Sequence, residues 1–304
     1  MQYKLRRLLA ILRKLRYISG EVIFVRERSQ RFDPRQTMRS DTFEVFHYKE
    51  PRPDVVEVHH HDFYEVYFLV GGKVEYWVEG RILRPQAGDL LLINPMELHR
   101  PIVDPESPTY ERIVLWINKA YLESLTEDGQ LSRCFDPSLP NLIRPTAAER
   151  TNLTAWLSNL VRETYSRDFC SEYSAFGIFL QLMVNLNRIA LHTQPQQEET
   201  AVSDLVDQVL HYIGRHINET LTLDTIAERF FVSKYHLSHT FTREVGVSLH
   251  RYITMRRLLM ARQLLATGMS AGQVSSTCGF SDYTSFYRAF KAEYGISPGA
   301  VLAE

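Results

Sequence analysis

Residues 226–248 read IAERFFVSKYHLSHTFTREVGVS, and residues 274–298 read VSSTCGFSDYTSFYRAFKAEYGISP. The second stretch repeats the first. Ser233 matches Ser281 and Tyr235 matches Tyr283, both 48 residues apart. Phe241 then matches Phe290, Glu244 matches Glu293, Gly246 matches Gly295 and Ser248 matches Ser297, all 49 apart, so one residue is inserted between. Each copy has the pattern of a short helix, a turn and a second helix. In such a unit the second helix is the one that enters a major groove. Two units joined by a helix predict a half of the chain that binds a DNA duplex.

The first unit is expected over 222–244 and the second over 270–291. The first scanning helix opens at Thr222 or Asp224. Ser233 is placed to cap the reading helix, 234–244, whose exposed amides need an acceptor. Leu237 and Phe241, four apart, face inward. The outward set is then Lys234, Tyr235, Ser238, His239 and Thr242. In the second copy Gly279 ends the scanning helix, where a left-handed residue is wanted, and Ser281 or Asp282 caps the reading helix. Phe286 and Phe290 face inward, leaving Tyr283, Thr284, Tyr287, Arg288 and Lys291 outward. The joining helix, about 248–266, carries a buried stripe of Leu258, Leu259, Ala261, Leu264 and Leu265. It would hold the units so that both enter successive major grooves, roughly 34 Å apart.

Charge points the same way. The chain's net charge of −1 hides an asymmetry. Residues 232–291 hold eight Lys/Arg against two acids, and residues 1–40 hold eleven against three. A basic segment in a near-neutral chain is a footprint for phosphate. Cys134, Cys170 and Cys278 have no paired spacing, which suits a reduced cytoplasmic protein better than a disulfide framework. No apolar run reaches the roughly 20 residues of a spanning helix, so no membrane partner is expected.

Leu221 to Val301 resembles the DNA-binding domain of the AraC/XylS family of bacterial regulators. The matching marks are LTLDTIAERFFVSKYHLSHTFTREVGVS, RLLMARQLL and VSSTCGFSDYTSFYRAFKAEYGISP. The resemblance implies base-reading positions at Tyr235, Ser238, His239 and Thr242, and at Tyr283, Thr284, Tyr287 and Arg288. His239 and Ser238 stand where relatives often carry Arg or Gln, so the base preference of the first unit does not transfer. Arg288 has a fork suited to guanine O6 and N7; contact with phosphate alone is the alternative.

The N-terminal half reads differently. TFEVFHY, DVVEVHHH, YEVYFLV, KVEYWVEG, LLLIN and RIVLWIN, between 42 and 118, read as short strands punctuated by Gly and Pro. They suggest a barrel or jelly roll. His59, His61, Glu65 and Tyr67 share parity and so would point one way from a strand. The spacing HxHxxxE, then Gly72, then His99, resembles the two cupin motifs. In cupin enzymes the matching residues, His59, His61, Glu65 and His99, would hold a divalent metal, and imidazoles with one carboxylate suit Fe, Mn, Ni or Zn. The second motif reads PQAGD rather than a tightly spaced PxG, which departs from that pattern. The resemblance to the AraC/XylS family instead implies a small effector, often a sugar, frequently without metal. The candidate effector residues are His59, His61, Glu65, Tyr67, Trp77 and His99. No cofactor is expected, with metal kept as the alternative. Structural hydrogen bonds alone are a further, lesser alternative for the histidines, and a barrel core would explain the aromatics equally well.

The expected fold class is α+β: a cupin-like barrel followed by helices, then an all-α domain with two helix-turn-helix units. Residues 1–37 form a basic extension, amphipathic over 1–18, with Met38 an alternative start. The sensor barrel spans 38–117. A helical packing or dimerisation segment follows over 118–192, with helices near 119–126, 146–167 and 170–192. The polar stretch 193–202 is the linker, and 203–304 the DNA-binding domain. The leading reading is an effector-controlled transcription regulator, with duplex DNA, a small molecule, RNA polymerase and a second copy as partners. Two others stand beside it. One is a metal-dependent cupin enzyme fused to a DNA-binding domain; the other is an architectural DNA-binding protein with no effector.

Overall fold

The computed structural model describes residues 36–50, 55–193 and 200–303. The expected helix at 1–18 and the alternative start argument, except for Met38 itself, lie outside the described residues. So does most of the 193–202 linker.

Two antiparallel sheets pack face to face. The larger has the order β1-β7-β2-β5-β8: Phe43–Glu50, Tyr110–Ile117, Tyr64–Gly71, Leu90–Ile93 and Leu142–Ile143. The smaller has the order β6-β3-β4-β9: His99–Val103, Val74–Val78, Arg81–Leu83 and Thr200–Ala201. Period-two alternation sorts the side chains. On β2, Tyr67 and Leu69 point between the sheets with Tyr76, Val78, Leu91 and Tyr110. Tyr64, Val66 and Phe68 point the other way, against helices. On β3 the same rule sends Tyr76 inside and Trp77 outside.

The helices over the outer face of the large sheet are α1 (Lys119–Ser124), α2 (Ala147–Tyr165) and α3 (Ser171–His192). A capping box between Thr146 and Glu149 starts α2. By length and composition α3 is apolar enough to cross a membrane. Its Phe179, Leu182, Met183, Leu186 and Ala190 are instead buried in the core beneath the sheet, as in a core helix of a globular domain. Val184 and Leu191 stay exposed on its far side.

The C-terminal helices are α4 (Asp204–Arg215), α5 (Leu223–Arg229), α6 (Lys234–Val245), α7 (Leu249–Ala266), α8 (Ala271–Thr277) and α9 (Tyr283–Tyr294). The helix α4 had no counterpart in the sequence reading, although its Val206, Val209, Leu210 and Ile213 fall at helical spacing and are buried. It packs beneath Trp77, Leu98 and Val58 of the barrel, in a core continuous with Ile226, Leu237 and Phe241 of the first helix-turn-helix. The second unit has a separate core of Leu258, Ala261, Leu265, Val274, Phe286 and Phe290.

Three boundaries are corrected. The run DVVEVHHH is not a strand: its described part, residues 55–61, forms an isolated bridge of His59 with His99 and no ladder. The barrel borrows β8 from inside the segment read as helical, because Leu142 and Ile143 complete the edge beside β5. The far end of the segment read as linker is anchored, since Thr200 and Ala201 pair with β4 and Val202 is buried.

Candidate nucleic-acid interface and sensor site

Both reading helices are capped as an exposed helix start requires. The Ser233 side chain accepts from the His236 amide at 3.1 Å, and Asp282 accepts from Ser285 at 2.8 Å. The helices thus correspond at an offset of 49 from their first residue, whereas the scanning helices α5 and α8 correspond at 48. The inserted residue therefore sits in the second turn, before the cap, and not inside the helix. Lys234 matches Tyr283, Ser238 matches Tyr287, His239 matches Arg288 and Thr242 matches Lys291.

Those residues share one face of each helix. Leu237, Phe241, Phe286 and Phe290 are wholly buried. Tyr235 is 82% exposed and Tyr283 49%; Lys234, His239, Thr242, Thr284, Arg288 and Lys291 are also exposed, and Ser238 and Tyr287 half-buried. Lys234 pairs with Asp224 of the scanning helix at 2.8 Å. The rings of Tyr235 and His239 lie 6.1 Å apart and nearly parallel.

Four of the six proposed effector residues converge. His59 and His99 exchange backbone hydrogen bonds of 3.1 and 3.0 Å, which brings their rings to 4.3 Å. The His61 ring lies 4.9 Å from that of His99. Their convergence thus comes from a bridge, not from strand parity as the sequence suggested. Each Nδ1 sits 2.9 Å from a backbone carbonyl: His59 from Glu57, His61 from Phe63 and His99 from Glu97. Glu65 enters from β2; its Oε2 accepts from Trp116 Nε1 at 2.9 Å and lies 3.5 Å from His61 Nε2. That last contact is too long for a good hydrogen bond.

Burial holds the His59 pKa down at about 4 and that of His99 well below its usual value, so both rings are neutral near pH 7. Burial would raise the Glu65 carboxyl, but His61, then His59 and Trp116, hold it below its usual value. His61, Glu65 and His99 form a group whose ligand atoms lie within 4.8 Å of one another.

Tyr67 and Trp77 take no part in this cluster. Tyr67 donates to the Tyr110 hydroxyl at 2.8 Å in the interior between the sheets. Trp77 has the opposite parity and is buried under α4. Neither presents an open ring face to a sugar; both serve as core.

The barrel is docked on the reading half, a feature with no simple signal in the sequence. Glu79 receives two contacts from Arg256 of α7, at 2.9 and 2.8 Å. Asp62 accepts from Arg262 at 2.6 Å. His60, whose neighbours His59 and His61 join the cluster, turns outward to Glu293 at the end of α9, at 3.3 Å and without the alignment of a hydrogen bond. Arg100 of β6 lies over Gly246, at the C-terminal end of α6, where a Cβ would come within 2.2 Å of its guanidinium.

A family model described as an AraC-like ligand-binding domain matches residues 42–174, and one described as a helix-turn-helix domain matches residues 226–304. The chain belongs to the AraC family. It is a DNA-binding transcription regulator with a ligand-binding domain, and its relatives are regulators by name. The HTH-type transcriptional activator RhaS of Escherichia coli is 24% identical over 250 residues, covering 82% of this chain and 87% of its own. The regulatory protein PocR of Salmonella typhimurium is 26% identical over 187 residues, covering 57% and 61%. Among solved structures, ToxT of Vibrio cholerae aligns over 87% of this chain and 98% of its own, at 13% identity and a TM-score of 0.36.

Proposed function

We propose that this AraC-family regulator reads one asymmetric DNA site through Tyr235, Ser238, His239 and Thr242 in α6 and through Tyr283, Thr284, Tyr287 and Arg288 in α9. Lys234 and Lys291 sit on the same faces and contact phosphate. The observation that carries this reading is the pair of exposed helix faces, backed by buried Leu/Phe ridges and tied to one joining helix. Base edges in a major groove are reached by such faces.

The barrel binds a small polar effector at the His59, His61, Glu65 and His99 end, where the polar side chains converge. The regulator works by binding, not catalysis, in the cytoplasm. It acts as an activator, as the name of the Escherichia coli relative suggests, and contacts RNA polymerase. A second copy docks on the outer side of α3, where Val184 and Leu191 are exposed.

Footprinting of the full chain on a library of genomic fragments tests the core of this. One protected site of about 20 base pairs, touching two successive major grooves, is expected. Arg288→Ala should cost about 1–3 kcal/mol there and relax one base position. Equal weakening on every sequence would make Arg288 a phosphate contact, and equal affinity of the native chain for all duplexes would reduce the protein to an architectural one.

A further inference from the structure

Among the described residues from 200 to 303, the large apolar side chains left exposed are Phe231, Tyr235 and Tyr283. Tyr283 is the first residue of α9 and Tyr235 the second of α6. Both lie on the faces assigned above to DNA. Phe231 stands four residues before Tyr235, in the turn between α5 and α6, and those faces do not include it.

The fold makes no use of this ring. The neighbours Phe230 and Val232 pack against the core, Phe230 edge-on to Tyr212 at 5.7 Å. Backbone bonds hold the turn: the Phe231 amide donates to the Glu228 carbonyl at 3.2 Å, and the Val232 amide to that of Ala227 at 3.1 Å. Phe231 is left-handed at φ +55°, with its ring 97% exposed. Glycine or asparagine would take that conformation with less strain, and the second unit has Gly279 there, at φ +78°. A phenyl ring in water is unfavourable as well. A strained backbone and a bare ring at one position point to a contact outside the chain.

The place of the turn says what that contact is. The first helix of such a unit crosses the phosphate backbone, and the second brings its N-terminal residues to the base edges. A residue that joins the two stands at the wall of the major groove. The ring carries no donor, acceptor or charge, so phosphates and the hydrogen-bonding edges of bases offer it nothing. The apolar group displayed in that groove is the C5 methyl of thymine. We propose that Phe231 is a specificity-determining residue, packing on one thymine methyl at the edge of the bases read by the first unit. This contact depends on the function proposed above, in which α6 enters a major groove. The second unit, with Gly279, has no counterpart. The preference for thymine therefore belongs to one half of the site and fixes which way round the chain sits on it.

The test takes the full chain and a site it selects from randomised duplexes. Each thymine is replaced in turn by deoxyuridine, which removes the methyl and keeps every hydrogen bond. In the half protected by the first unit, one replacement should weaken the native chain about fourfold, the worth of one buried methyl. Phe231→Asn, which suits the turn, should melt no lower than the native chain. It should bind the thymine site more weakly by that factor or more, and no longer distinguish thymine from deoxyuridine there. Phe231→Leu keeps an apolar side chain and should retain part of the discrimination. Three results overturn the contact: no thymine in that half with this effect, native affinity in Phe231→Asn, or weakening in Phe231→Asn that leaves the discrimination intact. Native affinity together with lost transcription would set a protein against the ring instead. His239→Ala separates this from the reading helix itself. If it weakens binding and Phe231→Asn does not, only the Phe231 contact fails. If neither changes binding, α6 does not enter a groove and the proposed function fails with it.

Discussion

Phe231 and Gly279 hold the same place in the two units, just after a scanning helix, and both are left-handed, at φ +55° and +78°. Glycine takes that conformation without penalty; a bulky residue pays about 1–2 kcal/mol. Phe231 carries the strain openly, with its ring 97% exposed. Gly279 has a second constraint, since a Cβ there would meet the carbonyl of Asn218 at 2.8 Å. Opposite outcomes follow. Gly279→Val should lower stability by about 2 kcal/mol or more, and Phe231→Gly should leave it unchanged or raise it slightly. Thermal melts of the two variants check the contrast; equal losses would refute it. A charge makes a second residue-level case. Glu244 accepts from the Ser203 amide and hydroxyl at 2.9 and 2.8 Å, capping the start of α4. Burial would raise its carboxyl, but Ser203 and then Arg243 hold it below the usual value. A depressed carboxylate stabilises above its unfolded pKa of about 4.3 and loses that contribution as pH falls through the lower folded value. Glu244→Gln should therefore destabilise at pH 7 and converge with the native chain in acid, as read by urea melts at pH 7 and pH 3. A difference that persisted at pH 3 would mean packing, not charge.

Elements carry the next level. The periodicity of α6 and α9 was legible because one apolar stripe per helix repeats at helical spacing, and the boundaries came within three residues. The helix α7 does more than its pattern suggested. Leu249, Tyr252, Ile253, Met255 and Leu259 enter the core shared with the barrel, while Leu258, Ala261 and Leu265 enter the core of the second unit. Two stripes on one helix blur into a nearly even distribution, so the sequence reading caught only the residues from Leu258 to Leu265 and not the stripe from Leu249 to Met255. The division yields a prediction. Leu258→Ala should cost about 2–5 kcal/mol by leaving a cavity in the second core. Hydrogen exchange should show 271–294 opening first, with the first unit still protected. Simultaneous opening of both units would mean that α7 does not separate them. The strand 54–61 was misread for a related reason. Alternation of Val and His at 55–61 looks like a strand, but a strand needs a partner along its length, and only His59 finds one.

Across the whole molecule, the barrel and the first reading unit share an apolar core, while the second unit is tied to the barrel through charges. Glu79 is the pivot of that docking. It occupies a left-handed position at φ +46° in the tight turn before Gly80, a place that favours Asn or Asp,. The chain accepts that strain, and its carboxylate binds both Arg256 and the Leu98 amide. Burial raises the Glu79 carboxyl despite Arg256, which marks the pair as partly desolvated rather than strongly stabilising. Glu79→Asn should thus relax the turn yet release α7, costing about 1 kcal/mol or less overall. Limited proteolysis would report faster cleavage between 193 and 203; an unchanged pattern would show that the apolar core alone sets the docking. The sequence alone determined the two reading units, their caps and outward faces, the strand-rich half and the histidines worth watching. These depend on neighbours three, four or two residues away, and such spacings are written directly in the chain. The tertiary structure alone decided how the histidines meet, that Trp77 faces the reading half, and that His60 and Glu79 reach residues more than 170 positions distant. Contacts of that range depend on how sheets and helices pack, and packing leaves no period in the sequence.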